Sequence, residues 1–391
     1  MPMLATVSQL TEEQTDLRDL ARKLAAEQYA PRARQWDHDR AALPDQERRR
    51  LGDLGLLAVS LPEEYGGGGR PLLDALIVLE ELAKAAPQAA WPVFEASCGP
   101  ARVVDLFATE EQKQRILPPI ARGERTLAVA ISEPDAGSAA TDATTKARID
   151  GDHVVLNGTK RWCSGAGHAE DYLVYVRFGD TRGAAGMGAV LVEREAPGLT
   201  FGAREQLMGF RGVASADMFF DDVRVPVDDV IVPENGFRKL FTAFSIERMG
   251  NATQSLAMGQ AALDRTAAYV QERKQFGKEI AEFQMVQGSL ADMLMQVEAA
   301  RLLIYRAAQN AGTAAPVALE ASIAKCFANE MAKTVTDLAV QLHGGYGYSA
   351  EYDVERMLRD AHGWALAGGT PNLQRTRIAS EYLGRRFDQR A

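Results

Sequence analysis

Hydrophobic residues change their spacing twice along this chain, and the two changes divide it into three parts. Up to about residue 124 the spacing is helical. Leu10, Leu17, Leu20, Ala21 and Leu24 keep a 3.6-residue period, and Thr11-Glu12-Glu13 offers an N-terminal cap. Pro71 opens a run from Leu72 to Leu82 that is apolar on most sides, which predicts a helix buried between other helices. From about 125 to 235 short β-prone segments alternate with Gly and Asp turns. They are Leu127 to Ile131, Lys146 to Ile149, His153 to Leu156, Tyr172 to Phe178, Met187 to Val192, Met218 to Phe220 and Val223 to Val225. Asp150-Gly151 reads as a hairpin turn, because Gly tolerates the positive φ it needs, and Asn157-Gly158 reads as a second turn pair. Long amphipathic helices then return over roughly 237–273, 283–311, 316–342 and 351–385. Phe283, Val286, Leu290, Met293, Leu294 and Val297 form a stripe wide enough for a bundle. The expected class is an α+β multidomain fold. It has an N-terminal α-helical domain (1–124), a middle antiparallel β-barrel or sandwich (125–235), and a C-terminal four-helix bundle (236–391).

Composition removes several alternatives. At 391 residues, 46% apolar and 25% charged, the chain is an ordinary globular protein too long for one compact core. Its net charge is −9, and Arg48-Arg49-Arg50, its densest basic run, reads as a solvated helix face, so no nucleic-acid partner is expected. Cys98, Cys163 and Cys326 are far apart with no CxxC, which argues against a metal site or disulfide scaffold and for a reducing compartment. No run approaches the roughly 18 apolar residues of a membrane span, and no leader pattern opens the chain, so a cytoplasmic location is expected. Gly66 to Gly69 lacks the preceding strand and following Lys-Ser/Thr of a phosphate loop and reads as a flexible turn.

Candidate chemistry lies between Ile131 and Ser164. A strand there ends in Ser132-Glu133-Pro134-Asp135-Ala136-Gly137-Ser138, and Thr159-Lys160-Arg161-Trp162-Cys163-Ser164 follows a hairpin. The segment supplies small hydroxyls, backbone N–H groups and one large aromatic, a set that suits a flat polar heterocycle. Hairpins carrying hydroxyls are common and most bind nothing, so these residues alone leave both readings open.

Together, EPDAGS (133–138) and LNGTKRWCSG (156–165) resemble the flavin-binding middle domain of the acyl-CoA dehydrogenase family. The resemblance continues through Met208-Gly209-Phe210-Arg211-Gly212, Phe220 to Pro226, Glu272 to Lys278 with Phe283-Gln284, and Gln341 to Tyr348. It implies that FAD lies along Ile131 and Ser132, with Trp162 over the outer face of its ring. It puts Ser164 near flavin N5, and Gly137 and Ser138 near the pyrophosphate, where Ser138 also meets the substrate's thioester arm. Arg273, Gln275, Phe276, Gln341 and Gly345 would reach the FAD of a neighbouring subunit, while Thr370 and Asn372 close over the phosphates and adenosine. Arg273 suits a diphosphate because its planar fork bonds two oxygens at once. His343 is read as a packed helix-end histidine. The resemblance further implies a homotetramer built as a dimer of dimers, and an electron-transfer flavoprotein as redox partner.

Family chemistry removes the α proton of a thioester as hydride leaves the β carbon for the flavin, so a carboxylate must reach the α carbon in a dry site. Most members place this Glu in a YEGT segment after Arg-Asp. Here that segment reads Ala365-Leu366-Ala367-Gly368-Gly369-Thr370, with Gly368 at the Glu position. The helix from Gly236 compensates: Phe237, Leu240, Phe241 and Phe244 mark its apolar stripe, and Glu247 continues that stripe. Glu247-Arg248 matches the minority of the family, including isovaleryl-CoA and long-chain acyl-CoA dehydrogenases, that carries the base on this helix. The Gly368 backbone N–H survives any side-chain change and can still bond the thioester carbonyl, a contribution of roughly 10²–10³ per donor. Ala367, Gly368 and Arg248 then line the substrate.

The expected reaction is FAD-dependent α,β-dehydrogenation of an acyl-CoA thioester. A dehydrogenase, oxidase or reductase acting on an acyl-carrier-protein thioester remains open, as does a flavin-binding subunit of a hetero-oligomer without its own base. Ala367 and Gly368 remove the usual Tyr and Glu bulk near the reacting carbons, so a branched or bulky acyl group is expected to be accepted. Turnover across a panel of straight and branched thioesters checks this, and a strong preference for short straight chains would contradict it.

Overall fold

The computed structural model describes residues 10–385 and Phe387. Seven helices come first among the described residues: α1 (Glu12–Leu24), α2 (Ala30–Asp39), α3 (Asp45–Asp53), α4 (Leu72–Ala85), α5 (Pro87–Ser97), α6 (Pro100–Phe107) and α7 (Glu110–Ala121). Thr11 caps α1 in a reciprocal capping box with Gln14. On the α1 stripe, Ala21 and Leu24 are buried but Leu20 is 43% exposed, so the stripe is narrower than its spacing suggests. α4 is buried almost all round, and its carboxylates are paired: Asp74 with Arg70, Glu81 with Arg22 and Lys84, and Glu80 with Arg301 at 2.5 Å. Burial without such partners would favour the neutral acid.

Two expectations in this region change. Arg48 is buried, its Nε donating to the Gly123 carbonyl at 2.9 Å, so one arginine of the basic run is a structural anchor rather than a solvated residue. Gly66 to Gly69 is closely packed rather than flexible: the Gly67, Gly68 and Gly69 amides donate to Pro62, Ala58 and Leu61, and a Cβ on Gly67 would lie 2.2 Å from the Leu61 oxygen.

The β region contains β1 (Leu127–Ala130), β2 (Lys146–Asp150), β3 (His153–Ser164), β4 (Asp171–Phe178), β5 (Met187–Glu193), β6 (Leu199–Phe201), β7 (Ser215–Pro226) and β8 (Val230–Val232), in the order β6-β7-β3-β2-β4-β5-β8. Pairing is antiparallel except on one edge of β4, where β1 and β2 run parallel to it. β4 is buried on both faces. Tyr172, Val174, Val176 and Phe178 enter the β core, while Leu173 and Tyr175 join a second core continuous with the helices on either side. The hairpin loop is Gly151-Asp152, one residue later than expected, because Asp150 pairs with His153. Asn157-Gly158 is not a turn but a bulge inside β3. Gly158 has φ +145° there, and a Cβ on it would lie 2.7 Å from Thr145 Cα, a close approach only glycine allows.

The last part contains α8 (Phe237–Glu272), α9 (Gln284–Ala311), α10 (Ala318–His343), α11 (Val354–Leu366) and α12 (Pro371–Tyr382). α10 packs against the other four, and α4 packs on α8 and α9. The fourth expected helix is thus broken in two. Gly368 (φ +65°) and Gly369 (φ +87°) adopt left-handed backbone, and Pro371 starts a new helix without needing an N–H partner. No helix among the described residues is long and apolar enough to cross a membrane.

Lys160 on β3 is fully buried beneath the turn that follows β1, its Nζ 2.8 Å from Glu133 Oε1 and donating to the Ile131 carbonyl at 3.0 Å. Burial pushes Glu133 up, but Lys160 and bonds from Thr145 and the Thr144 amide outweigh it and hold the carboxyl at about 2. A carboxyl depressed in the fold stabilises above its unfolded pKa, roughly 4.3, and that stabilisation is lost as pH falls toward about 2. Lys160→Met leaves Glu133 buried and unpaired, and is expected to lower stability by about 3–5 kcal/mol in urea unfolding at neutral pH. An unchanged midpoint would contradict this role.

Candidate active site

The bulge in β3 between Lys160 and Cys163 contains Trp162, whose φ of +60° is a strained choice for an aromatic residue. The distortion turns the indole outward: it is 52% exposed, with the Arg161 guanidinium over its ring at 4.2 Å. The Arg161 amide donates to the Ser132 carbonyl at 2.8 Å, tying the 131–138 turn to the bulge. Ile131, Ser132 and Ser164 are half-buried and Gly137 and Ser138 exposed, so the six expected residues share one open ledge. A Cβ on Gly137 would meet nothing within 4 Å. A strained, uncovered indole beside half-buried hydroxyls fits the flat, polar-edged ring of FAD.

Glu247 lies on α8 and faces the break between α11 and α12. A Cβ built on Gly368 would stand 3.7 Å from Glu247 Oε1 and 3.7 Å from Asn251 Nδ2. A side chain rooted at 368 would therefore grow into the place the Glu247 carboxylate already holds. No hydrogen bond or ion pair engages that carboxylate among the described residues. Burial pushes it up to about 7, with Arg248 and Lys325 opposing. The Gly368 N–H likewise has no protein acceptor among the described residues. An unengaged carboxylate and an unbonded backbone N–H thus belong to neighbouring residues of facing elements.

Phe237, Phe241 and Ser245 line a cavity of about 770 Å³ together with Arg238, Arg377 and Glu381. Steps of four, four and three along α8 put Arg248 next on this face. Arg248 is 3% exposed, its guanidinium over Phe241 and Phe244 at 5.8 and 5.7 Å, and its Nε and Nη1 have no hydrogen-bond partner among the described residues. Burial lowers it to about 10, the charge of Arg377 acting in the same direction. The cavity follows α8 from Phe237 to Ser245, and two arginines and one glutamate line it.

The remaining expected residues stand elsewhere. Arg273 lies over Tyr346 at 5.3 Å, and with Gln275, Phe276, Gln341 and Gly345 it occupies the opposite end of α8 and the end of α10. Phe276 is 93% exposed. No hydrogen bond, ion pair or ring contact among the described residues joins this group to the ledge. Thr370 caps α12, accepting from the Leu373 amide, and Asn372 is exposed one turn from Gly368. His343 is packed, stacked on Tyr269 at 4.2 Å with Nδ1 2.7 Å from the Ala339 carbonyl oxygen.

Lys325 and Asn251 were not among the expected site residues. Lys325 donates to the Gly369 carbonyl at 2.5 Å, and Asn251 to those of Trp364 and Ala367. Both are buried polar residues with other polar residues three or four positions away, so an interrupted apolar stripe did not mark them.

Comparison with known proteins identifies the family. Residues 11–124, 128–223 and 234–383 match the N-terminal, middle and C-terminal domains of acyl-CoA dehydrogenases. The chain is 38% identical to the probable acyl-CoA dehydrogenase YngJ of Bacillus subtilis, covering 96% of this chain and 99% of that protein. It is also 38% identical to a 3-sulfinopropanoyl-CoA desulfinase of Paraburkholderia xenovorans, covering 98% and 99%. The structure of butyryl-CoA dehydrogenase from Megasphaera elsdenii superposes with a TM-score of 0.92 at 34% identity, covering 96% of this chain and 99% of that one. With all three domains matched over nearly its whole length, the chain belongs to the acyl-CoA dehydrogenase family, FAD-dependent oxidoreductases that dehydrogenate acyl-CoA thioesters.

Proposed function

We propose that this protein dehydrogenates a branched or bulky acyl thioester with Glu247 as the base that takes the α proton. The observation that carries the proposal is the shared volume at Gly368, where the α8 carboxylate occupies the space a residue-368 side chain would enter. Bound FAD would supply the acceptor for the hydride leaving the β carbon. The chain's own residues do the rest: Glu247 accepts the α proton, the Gly368 N–H donates to the thioester carbonyl, and Trp162 shields the ring from bulk water. FAD would rest on Ile131, Ser132, Gly137, Ser138, Trp162 and Ser164.

The cavity along α8 suits the long carrier arm of CoA, and Arg238 and Arg377 suit its phosphates. Near the reacting carbons, Ala367 and Gly368 are small, and the facing wall is aromatic: Trp91 and Phe94 pack on Trp364 at 5.8 and 5.4 Å. Gly250 lets Phe94 approach α8 one turn from Glu247. Phe276, 93% exposed, and Met285, 84% exposed, leave the end of the bundle suited to a neighbouring subunit, consistent with a homotetramer in which Arg273, Gln275, Phe276, Gln341 and Gly345 reach a partner's FAD. An electron-transfer flavoprotein would take the electrons onward, in the cytoplasm. An uncommitted carboxylate in the site favours this reading over a base-lacking subunit.

Only the ionised carboxylate accepts a proton, and burial places its pKa at about 7. The rate of flavin reduction at limiting thioester, which reports the free protein's ionisation, is therefore expected to rise about tenfold per pH unit below about 7 and to level off above it. Anaerobic stopped-flow across pH checks this, and a rate flat over that range would contradict it.

A further inference from the structure

A helix that breaks inside a protein leaves its last carbonyls without partners. At the α11–α12 break, side chains supply them. Asn251 Nδ2 donates to the Trp364 oxygen at 3.1 Å and the Ala367 oxygen at 3.3 Å. Lys325 Nζ donates to the Gly369 oxygen at 2.5 Å, and Gln374 Nε2 to that oxygen at 3.0 Å and to the Gly368 oxygen at 3.5 Å. Asn251 is held in turn: Asn329 Nδ2 donates to Asn251 Oδ1 at 2.9 Å and to Ser255 Oγ at 2.7 Å. Asn251, Asn329 and Ser255 are at most 2% exposed.

One of these bonds bears on the reaction. The Ala367 oxygen and the Gly368 N–H belong to the same trans peptide unit, so they lie in one plane and point opposite ways. Fixing the oxygen fixes the N–H, and that N–H has no acceptor of its own. The residue that fixes it stands one turn after Glu247 on the same face of α8. Base and donor are thereby referred to a single rigid helix.

We infer that Asn251 is a positioning residue for the reaction: its amide, oriented by Asn329 and Ser255, aims the Gly368 N–H at the thioester carbonyl beside Glu247. The inference rests on the assignment of Glu247 and Gly368 made above. Lys325 and Gln374 secure the next carbonyls but not the peptide that carries the donor. An apolar residue at 251 would fill the space yet leave two buried oxygens unbonded and the peptide free to rotate.

The test uses the FAD-loaded protein and a CoA thioester with sulfur at the β position, which can lose an α proton but offers no β hydride. Its enolate gives a long-wavelength band with oxidised flavin, and titrating that band reads the α-proton acidity in the site. Asn251→Leu is expected to raise this apparent pKa by about one to two units, and to slow flavin reduction by an ordinary thioester about ten- to a hundredfold, less than the full loss of a donor. Thioester affinity should change by less than about threefold. A merely structural role would lower thermal stability without moving the pKa. An unchanged pKa in folded, flavin-loaded Asn251→Leu would overturn the inference. If that variant does not load flavin, Asn329→Ala keeps Asn251 but frees its amide, and a pKa unchanged there would also overturn it. Glu247→Gln should slow flavin reduction in the wild-type background; if it does not, the assignment of the base fails, whatever Asn251 does.

Discussion

A half-buried carboxylate that no hydrogen bond or ion pair engages among the described residues is the constraint on which the proposed site depends. Glu247 on α8 has no hydrogen-bonding partner among the described residues, and the charged groups nearest to it are engaged elsewhere. Arg248 is near but its guanidinium lies over phenylalanine rings. Lys325 is near but its ammonium is committed to the Gly369 carbonyl. The broken helix opposite offers an N–H and no side chain. Each feature keeps the base basic and the space in front of it open.

Comparison with other buried carboxylates in the chain sharpens the point. Glu133 is more fully buried, but Lys160 and two threonines hold it near 2, fully ionised and structural. Glu80 is lowered despite burial because Arg301 pairs with it. Glu95 and Asp360 are pushed up, to about 8 and about 6, by the same desolvation that acts on Glu247. Asp360, however, accepts the Phe210 amide at 2.8 Å, and burial raises Glu95 even with a bond from Trp91. A raised pKa alone does not mark a base; the proposal for Glu247 rests also on its lying beside Gly368 with no hydrogen bond among the described residues.

Most of the fold was legible because its signals are local. Spacing gave the helices, β-propensity the strands, and the interruption of the α8 stripe by Glu247 was visible in its periodicity. What was misplaced depended on partners distant in sequence. Asn157-Gly158 has turn chemistry, yet Thr145 packs where a side chain would be and makes it a bulge. Arg48 sits in a basic run, yet Gly123 lies within its reach. The last helix broke at two glycines, and the Trp364, Ala367 and Gly369 carbonyls are bonded by residues on α8, α10 and α12, a pattern no single segment reveals. The flavin ledge was proposed from the family resemblance, and Trp162 is strained and exposed there.

The most direct test of the base on α8 is anaerobic mixing of flavin-loaded protein with a branched acyl-CoA, comparing the wild type with Glu247→Gln. The account predicts rapid bleaching of the flavin band in the wild type and a loss of about 10²–10⁴ in its rate in the variant, with thioester binding retained. Bleaching at the wild-type rate in Glu247→Gln would contradict it.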